Sequence, residues 1–252
     1  MAENKDNREV SSMILYGKPV ADALREQYAE RIEAMAWQRR LDIIIDGTED
    51  KKYLSAIEAE AAKWKVKLAY ENAPVKKNFG SDRIIDVRKK PNNNVGLYTV
   101  DGQSAYGMYK VYCGQTCDDV PCTAEAIIRM LDYYNIHIAG KHAVVIGRSE
   151  RVGKPTAMLL LARDATVTVC HSKTDKGNLL KLVADADIVV CASGQKGLLD
   201  WTCVHRGCTV INVGGDYVCD GYDEYDPGIN LIPFKGGVGP VTTAVLMSHV
   251  LM

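Results

Sequence analysis

Gly147 and Gly153 frame the segment Gly147-Arg-Ser-Glu-Arg-Val-Gly153-Lys-Pro155, directly behind the apolar run His142-Ala-Val-Val-Ile146 and ahead of a helical stretch. A glycine turn between a strand and a helix turns backbone N–H groups and the positive helix end towards one point, where a pyrophosphate fits. The spacing is G-x5-G rather than G-x-G-x-x-G, so the strand–turn–helix context carries the reading; an ordinary βα turn is the competing one. Sheets that bind NAD place a carboxylate about 20 residues past the glycines, on the ribose 2′-hydroxyl. Here the second strand ends instead in Cys170-His171-Ser172-Lys173, with Arg148 in the glycine turn. Hydrogen-bond donors and cations replace a group that would repel a 2′-phosphate, and Arg offers phosphate a planar fork, so the pattern predicts NADP. The alternative for Arg148 and Lys173 is that they are solvated surface charges.

Eight cysteines raise the question of a metal site. Cys113, Cys117 and Cys122 follow one another as C-x3-C-x4-C, without the paired C-x2-C knuckles of structural zinc, so no metal is expected. Cys170 and Cys191 end apolar runs, where cysteine behaves as a small buried hydrophobe. The opening Met1-Ala-Glu-Asn-Lys-Asp-Asn-Arg-Glu9 is polar and lacks the apolar core of a signal peptide, and reads as a frayed tail. Reduced thiols in a soluble, cytoplasmic protein are the expectation.

The elements that position these residues follow from periodicity. Gly17 to Arg40 carries Val20, Leu24, Tyr28, Ile32 and Met35 at helical steps, and predicts one amphipathic helix. Leu41–Ile45 reads as a strand and Tyr53–Lys67 as a helix. Between Glu71 and Gly114 the pattern is poor, with short strand candidates at Arg83–Val87 and Gly96–Val100. Thr123 is placed to cap a helix over Ala124–Tyr134. Strands at His142–Ile146, Ala165–Val169, Asp187–Cys191 and Thr209–Val213 then alternate with helices at Lys154–Arg163 and Gly177–Ala184. That rhythm, with nearly all-apolar strands, predicts βαβ units and a parallel sheet covered on both faces. The fold class is therefore α/β: a Rossmann-like doubly wound parallel sheet preceded by a smaller α/β substrate domain.

Composition removes other classes. The 252 residues carry 31 basic and 32 acidic side chains for a net charge of −1, which leaves no electrostatic footprint for nucleic acid or an anionic membrane. No apolar run approaches the roughly 20 residues that span a bilayer. A nicotinamide-dependent oxidoreductase fits what remains.

Several segments occur together and in order: Pro121-Cys-Thr123, Val144-Val-Ile-Gly-Arg-Ser149, Val152-Gly-Lys-Pro155, Thr166-Val-Thr-Val-Cys-His-Ser-Lys-Thr174 and Gly236-Gly-Val-Gly-Pro-Val-Thr242. In these the chain closely resembles the methylenetetrahydrofolate dehydrogenase/cyclohydrolase family from Pro121 onward, and more loosely before it, through Gly17-Lys18 and Val100-Asp-Gly102. The resemblance implies two domains with a folate cleft between them, at residues 1–118 and 119–240, with a C-terminal helix at 241–252 packing back on the first. It also implies a homodimer, a tetrahydrofolate derivative as substrate, and interconversion of the 5,10-methylene and 5,10-methenyl forms with NADP, followed by hydrolysis. By the same resemblance Arg148 and Ser172 hold the 2′-phosphate, and Gly147, Ser149 and Val152 form the pyrophosphate turn. Thr242 lies near the nicotinamide, Asp101 binds the pterin and Tyr53 stacks on the folate.

The departures concern the catalytic positions. The family's Tyr-x-x-x-Lys has Ile57 where its lysine belongs, and the strand Arg83–Val87 brings Val87 to the place of a supporting glutamine. Lys235 replaces a proline before Gly236, and Gly215 replaces a hydrophobic residue. Hydride transfer needs chiefly proximity and orientation, whereas hydrolysis needs a proton carrier, so the loss of the lysine bears mainly on the cyclohydrolase. Lys51, Lys52 and Lys235 are expected to be solvated charges, helical spacing keeping the first two from the vacant site. A non-catalytic nucleotide-binding relative and a dehydrogenase of a smaller, non-folate substrate remain as alternatives.

Overall fold

The computed structural model describes residues 12–72, 84–87, 120–218 and 228–252. Two sheets organise them, both wholly parallel. The larger contains β1 (Met13–Ile14), β5 (His142–Ile146), β6 (Thr166–Cys170), β7 (Ile188–Cys191), β8 (Thr209–Asn212) and β9 (Asn230–Ile232), in the order β1-β9-β8-β7-β5-β6. The smaller contains β2 (Arg40–Ile45), flanked by β3 (Lys67–Asn72) and β4 (Ile84–Asp86). The first described strand thus joins the larger sheet, pairing Met13 with Asn230.

Parallel neighbours need crossovers, and the helices supply them. After β5 comes α5 (Gly153–Leu161), and after β6 comes α6 (Lys176–Ala184), which Asp175 caps by accepting the Asn178 N–H at 3.0 Å. β5 lies between β6 and β7, so the chain winds outward in both directions from the β5–β7 boundary. That boundary is a topological switch point, and ligands of such sheets bind outside its carboxyl ends. Val144, Val145, Val189 and Val190 are fully buried, as strands covered on both faces require.

Around the smaller sheet in chain order run α1 (Gly17–Gln27), α2 (Ala29–Ala34) and α3 (Lys51–Lys63). The single helix expected over Gly17–Arg40 is two. At Tyr28 the ladder tightens, its N–H reaching back to the Arg25 carbonyl, while its ring packs against Trp64 at 5.6 Å. The chain then turns at Trp37, with φ 59°, and Arg40 already belongs to β2. α3 starts before Tyr53, because Asp50 accepts the N–H groups of Lys52 and Tyr53. It also ends sooner than expected, and Lys67 opens β3. The strand candidate at Arg83–Val87 contains β4, and the one at Gly96–Val100 lies outside the described residues.

Two further helices join the sheets. α4 (Cys122–Tyr133) begins one residue ahead of Thr123, so Pro121 occupies the cap position and Thr123 is left to face elsewhere. α7 (Val238–Leu251) is buried along nearly its whole length, with apolar residues all round, as a helix surrounded by others must be. It packs on α1, α3 and α4. At its start Gly17 donates to the Gly236 carbonyl at 2.8 Å, and a Cβ on Gly17 would stand 1.9 Å from the Gly237 carbonyl oxygen. Only glycine lets the α1 terminus close on the turn that opens α7. Among the described residues no helix is long and apolar enough to cross a membrane.

Candidate active site

The glycine turn after β5 is compressed against its neighbours. Gly147 has φ 129°, and a Cβ there would lie 2.4 Å from the Ala192 carbonyl oxygen, at the end of β7. A Cβ on Gly153 would meet the Gly147 carbonyl oxygen at 2.3 Å. Both positions therefore require glycine, and the backbone they leave bare opens on the switch point between β5 and β7. Ser149 Oγ accepts the N–H groups of Val152 and Gly153, at 3.2 and 3.3 Å, which holds the turn in shape where α5 presents its first amides.

The next strand end lies alongside, because Ile146 pairs with Cys170 and Gly147 donates to the Cys170 carbonyl at 2.9 Å. Arg148 and Ser172 stand two residues beyond that paired position and are both exposed. His171 is shaped by its own turn: its N–H donates to Thr174 Oγ1 and its Nδ1 accepts from the Lys173 N–H. With Nδ1 engaged as acceptor, Nε2 is the ring's donor. A bare-backbone turn beside donors and a guanidinium fits a dinucleotide carrying a 2′-phosphate.

A cleft of about 650 Å³ lies between α3 and the start of α7. One wall is α3, through Lys52, Tyr53, Ala56, Glu60 and Lys63; the other holds Asn212 and Val213 at the end of β8, Phe234, Gly236 and the first turns of α7. Thr123 lines it as well, which is where its side chain goes instead of capping α4. Thr242 also lines it, its hydroxyl donating to the Val238 carbonyl. Glu60 is buried and firmly held: it accepts from Trp64 Nε1 at 2.9 Å, Arg25 at 3.1 Å and Lys63 at 2.8 Å.

The residues named from sequence fall into three groups. Gly147, Arg148, Ser149, Val152, His171 and Ser172 gather at the carboxyl edge of the larger sheet, and Tyr53 and Thr242 share the cleft. Asp101 lies outside the described residues. Ile57 and Val87 are both packed into the main hydrophobic core, so neither position presents a group to the cleft. Lys51, Lys52 and Lys235 are all exposed, and Lys52 also lines the cleft. Sequence reasoning missed Glu60, Lys63, Phe234 and Asn212. The first two follow Tyr53 at i+7 and i+10 and were legible as one helical face; Phe234 and Asn212 carry no local signal.

Fold and site together define a dinucleotide-binding α/β protein with a second, ligand-sized cleft. Residues 121–252 match the family model described as "Tetrahydrofolate dehydrogenase/cyclohydrolase, NAD(P)-binding domain". The bifunctional protein FolD of Caldanaerobacter subterraneus subsp. tengcongensis is 32% identical over 95% of each chain. That of Nocardia farcinica is 42% identical over 60% of this chain and 56% of its own length. Among solved structures, FolD of Trypanosoma brucei, described as complexed with NADP cofactor and inhibitor, superposes with a TM-score of 0.84 at 26% identity, over 96% of each chain. This chain belongs to the tetrahydrofolate dehydrogenase/cyclohydrolase family.

Proposed function

We propose that the chain is an NADP-dependent 5,10-methylenetetrahydrofolate dehydrogenase, a homodimeric enzyme of one-carbon metabolism in the cytoplasm. The observation that carries this reading is the opening of two sites onto one edge of the molecule: the glycine turn at the β5–β7 switch point and the cleft walled by Tyr53 and Thr242. NADP supplies a hydride acceptor. Gly147, Ser149 and Val152 take the pyrophosphate, and Arg148, His171 and Ser172 take the 2′-phosphate. Thr242 borders the nicotinamide, Tyr53 stacks on the folate and Asp101 binds the pterin.

Hydride leaves the methylene carbon with its electron pair, and the resulting cation is shared by N5 and N10. No proton is removed from that carbon, so the residues' task is orientation and exclusion of water, which the burial of Ile57 and Val87 does not impair. Hydrolysis of the methenyl product is different, since water must be deprotonated and a nitrogen protonated. With Ile57 sealed in the core, residue 57 offers no proton carrier, and the cyclohydrolase is the weaker activity. The homodimer draws support from β6, an edge strand among the described residues, on which Val169 is exposed, and from exposed Leu161 of α5; light scattering reads it. Formation of NADPH from NADP and methylenetetrahydrofolate tests the activity.

A further inference from the structure

Phe234 is one of two phenylalanines in the chain and stands in the turn between β9 and α7 with 54% of its surface exposed. A single exposed ring is unremarkable in itself. This one is held in a defined orientation at a ligand-sized cleft. Its Cδ1, Cδ2 and Cε2 atoms each lie 3.8 Å from the point where a Cβ on Gly215 would sit. Three atoms of one hexagon equidistant from a point put that point over the ring centre, so a side chain at 215 would point onto one face of the ring. Gly215 has φ 76°, and it stands where the family carries a hydrophobic residue. A larger side chain there would displace the ring, so the absence of a side chain at 215 and the aromatic ring at 234 form one arrangement.

With one face turned towards Gly215, Phe234 lines the same cleft as Tyr53, which comes from α3. Val213, Gly236 and Pro240 also line it, leaving a broadly apolar space between two aromatic side chains carried by different elements. Planar conjugated rings gain from offset stacking on such surfaces beyond the area they bury, and flexible aliphatic ligands do not.

We propose that Phe234 is a specificity-determining residue that accepts the planar pyrimidinone ring of the substrate's pterin on its open face, across the cleft from Tyr53. The proposal rests on the folate reading above and names a residue for it. The cofactor is the other possible source of a planar ring, and the test separates the two.

The variants are Phe234→Ala and Phe234→Tyr, examined by NADPH formation across methylenetetrahydrofolate concentrations and by equilibrium titration with NADP alone. Loss of one stacking face raises KM about tenfold in Phe234→Ala, while Phe234→Tyr stays within about twofold of wild type. NADP affinity is unchanged in both, and so is Tm, because the ring is half exposed. A KM for Phe234→Ala within twofold of wild type overturns the proposal, as does a matching loss of NADP affinity, which would give the ring to the nicotinamide. Wild-type protein that forms no NADPH contradicts the dehydrogenase reading instead. Equilibrium binding of tetrahydrofolate then decides for Phe234: weaker binding by Phe234→Ala supports the slot, and equal or absent binding by both proteins overturns it.

Discussion

Arg148 and Ile57 are the residues on which cofactor and chemistry turn. Arg148 is exposed beside the end of β6, where the sequence runs Cys170-His-Ser-Lys-Thr174 without a carboxylate to meet a ribose hydroxyl. A charge-assisted bond to phosphate contributes about 1.5–3 kcal/mol, so Arg148→Ala should weaken NADP by roughly ten- to hundredfold and leave NAD nearly unchanged. Equal losses in parallel titrations would remove the 2′-phosphate from this site. Ile57 is fully buried. Methenyltetrahydrofolate should therefore hydrolyse hardly faster with the protein than in buffer, and a saturable hydrolysis rate would show that a cleft residue such as Lys52 or Lys63 has taken over proton transfer. The grouping of the glycine turn with the end of β6 was legible in sequence because a strand, a turn and a helix in succession place those residues locally. Phe234 and Asn212 were not, since only tertiary packing brings the ends of β8 and β9 to α3.

At the scale of elements, α7 is the joint. His249 Nε2 lies 2.8 Å from Glu125 Oε2 on α4, with Arg129 on the carboxylate's other oxygen and Cys122 Sγ 3.7 Å from Nδ1. Burial alone would push the imidazole down, but Cys122 and Glu125 outweigh it and hold His249 well above the usual histidine range. Burial would likewise push Glu125 up, and His249 and Arg129 outweigh it and hold the carboxyl low. The His249 contribution is complete below its unfolded pKa of about 6.5 and is lost as pH rises through the raised folded value. The Glu125 contribution is complete above about 4.3 and is lost as pH falls through the lowered one. The pair thus stabilises most between those limits. Glu125→Gln should cost about 3 kcal/mol near pH 6 and flatten the decline of Tm towards alkaline pH; an unchanged Tm profile would show that the pair is not what holds α7. Gly17→Ala tests the other end of the same helix. Its Cβ cannot occupy the 1.9 Å to the Gly237 carbonyl, so denaturant titration should show a loss of about 1–3 kcal/mol, and wild-type stability would refute the tight closure. Most elements were readable because apolar period separates strands from helices here. The exceptions have local causes: Tyr28 splits a continuous helical stripe by turning its ring to Trp64, and β1 and β9, of two and three residues, are too short to show alternation.

For the whole molecule, the sheet order and the central α7 set a glycine turn and a cleft at one edge, with one wall of the cleft formed by an α3 whose Tyr53 faces in and whose Ile57 faces the core. Sequence named the two walls through separate motifs; it could not show that residue 57 points away from the cleft, because a helix's rotation is fixed by what it packs against. The account's central claim is that hydride transfer needs this alignment and survives the absence of an amine at residue 57. The direct test is NADPH formation, followed by absorbance, from NADP and methylenetetrahydrofolate at high protein concentration. The account predicts that NADPH appears with saturation in both ligands, and that Asp101→Ala nearly abolishes it while leaving NADP binding intact. Tight NADP binding with no NADPH formed would contradict it and leave a nucleotide-binding relative that performs no oxidation.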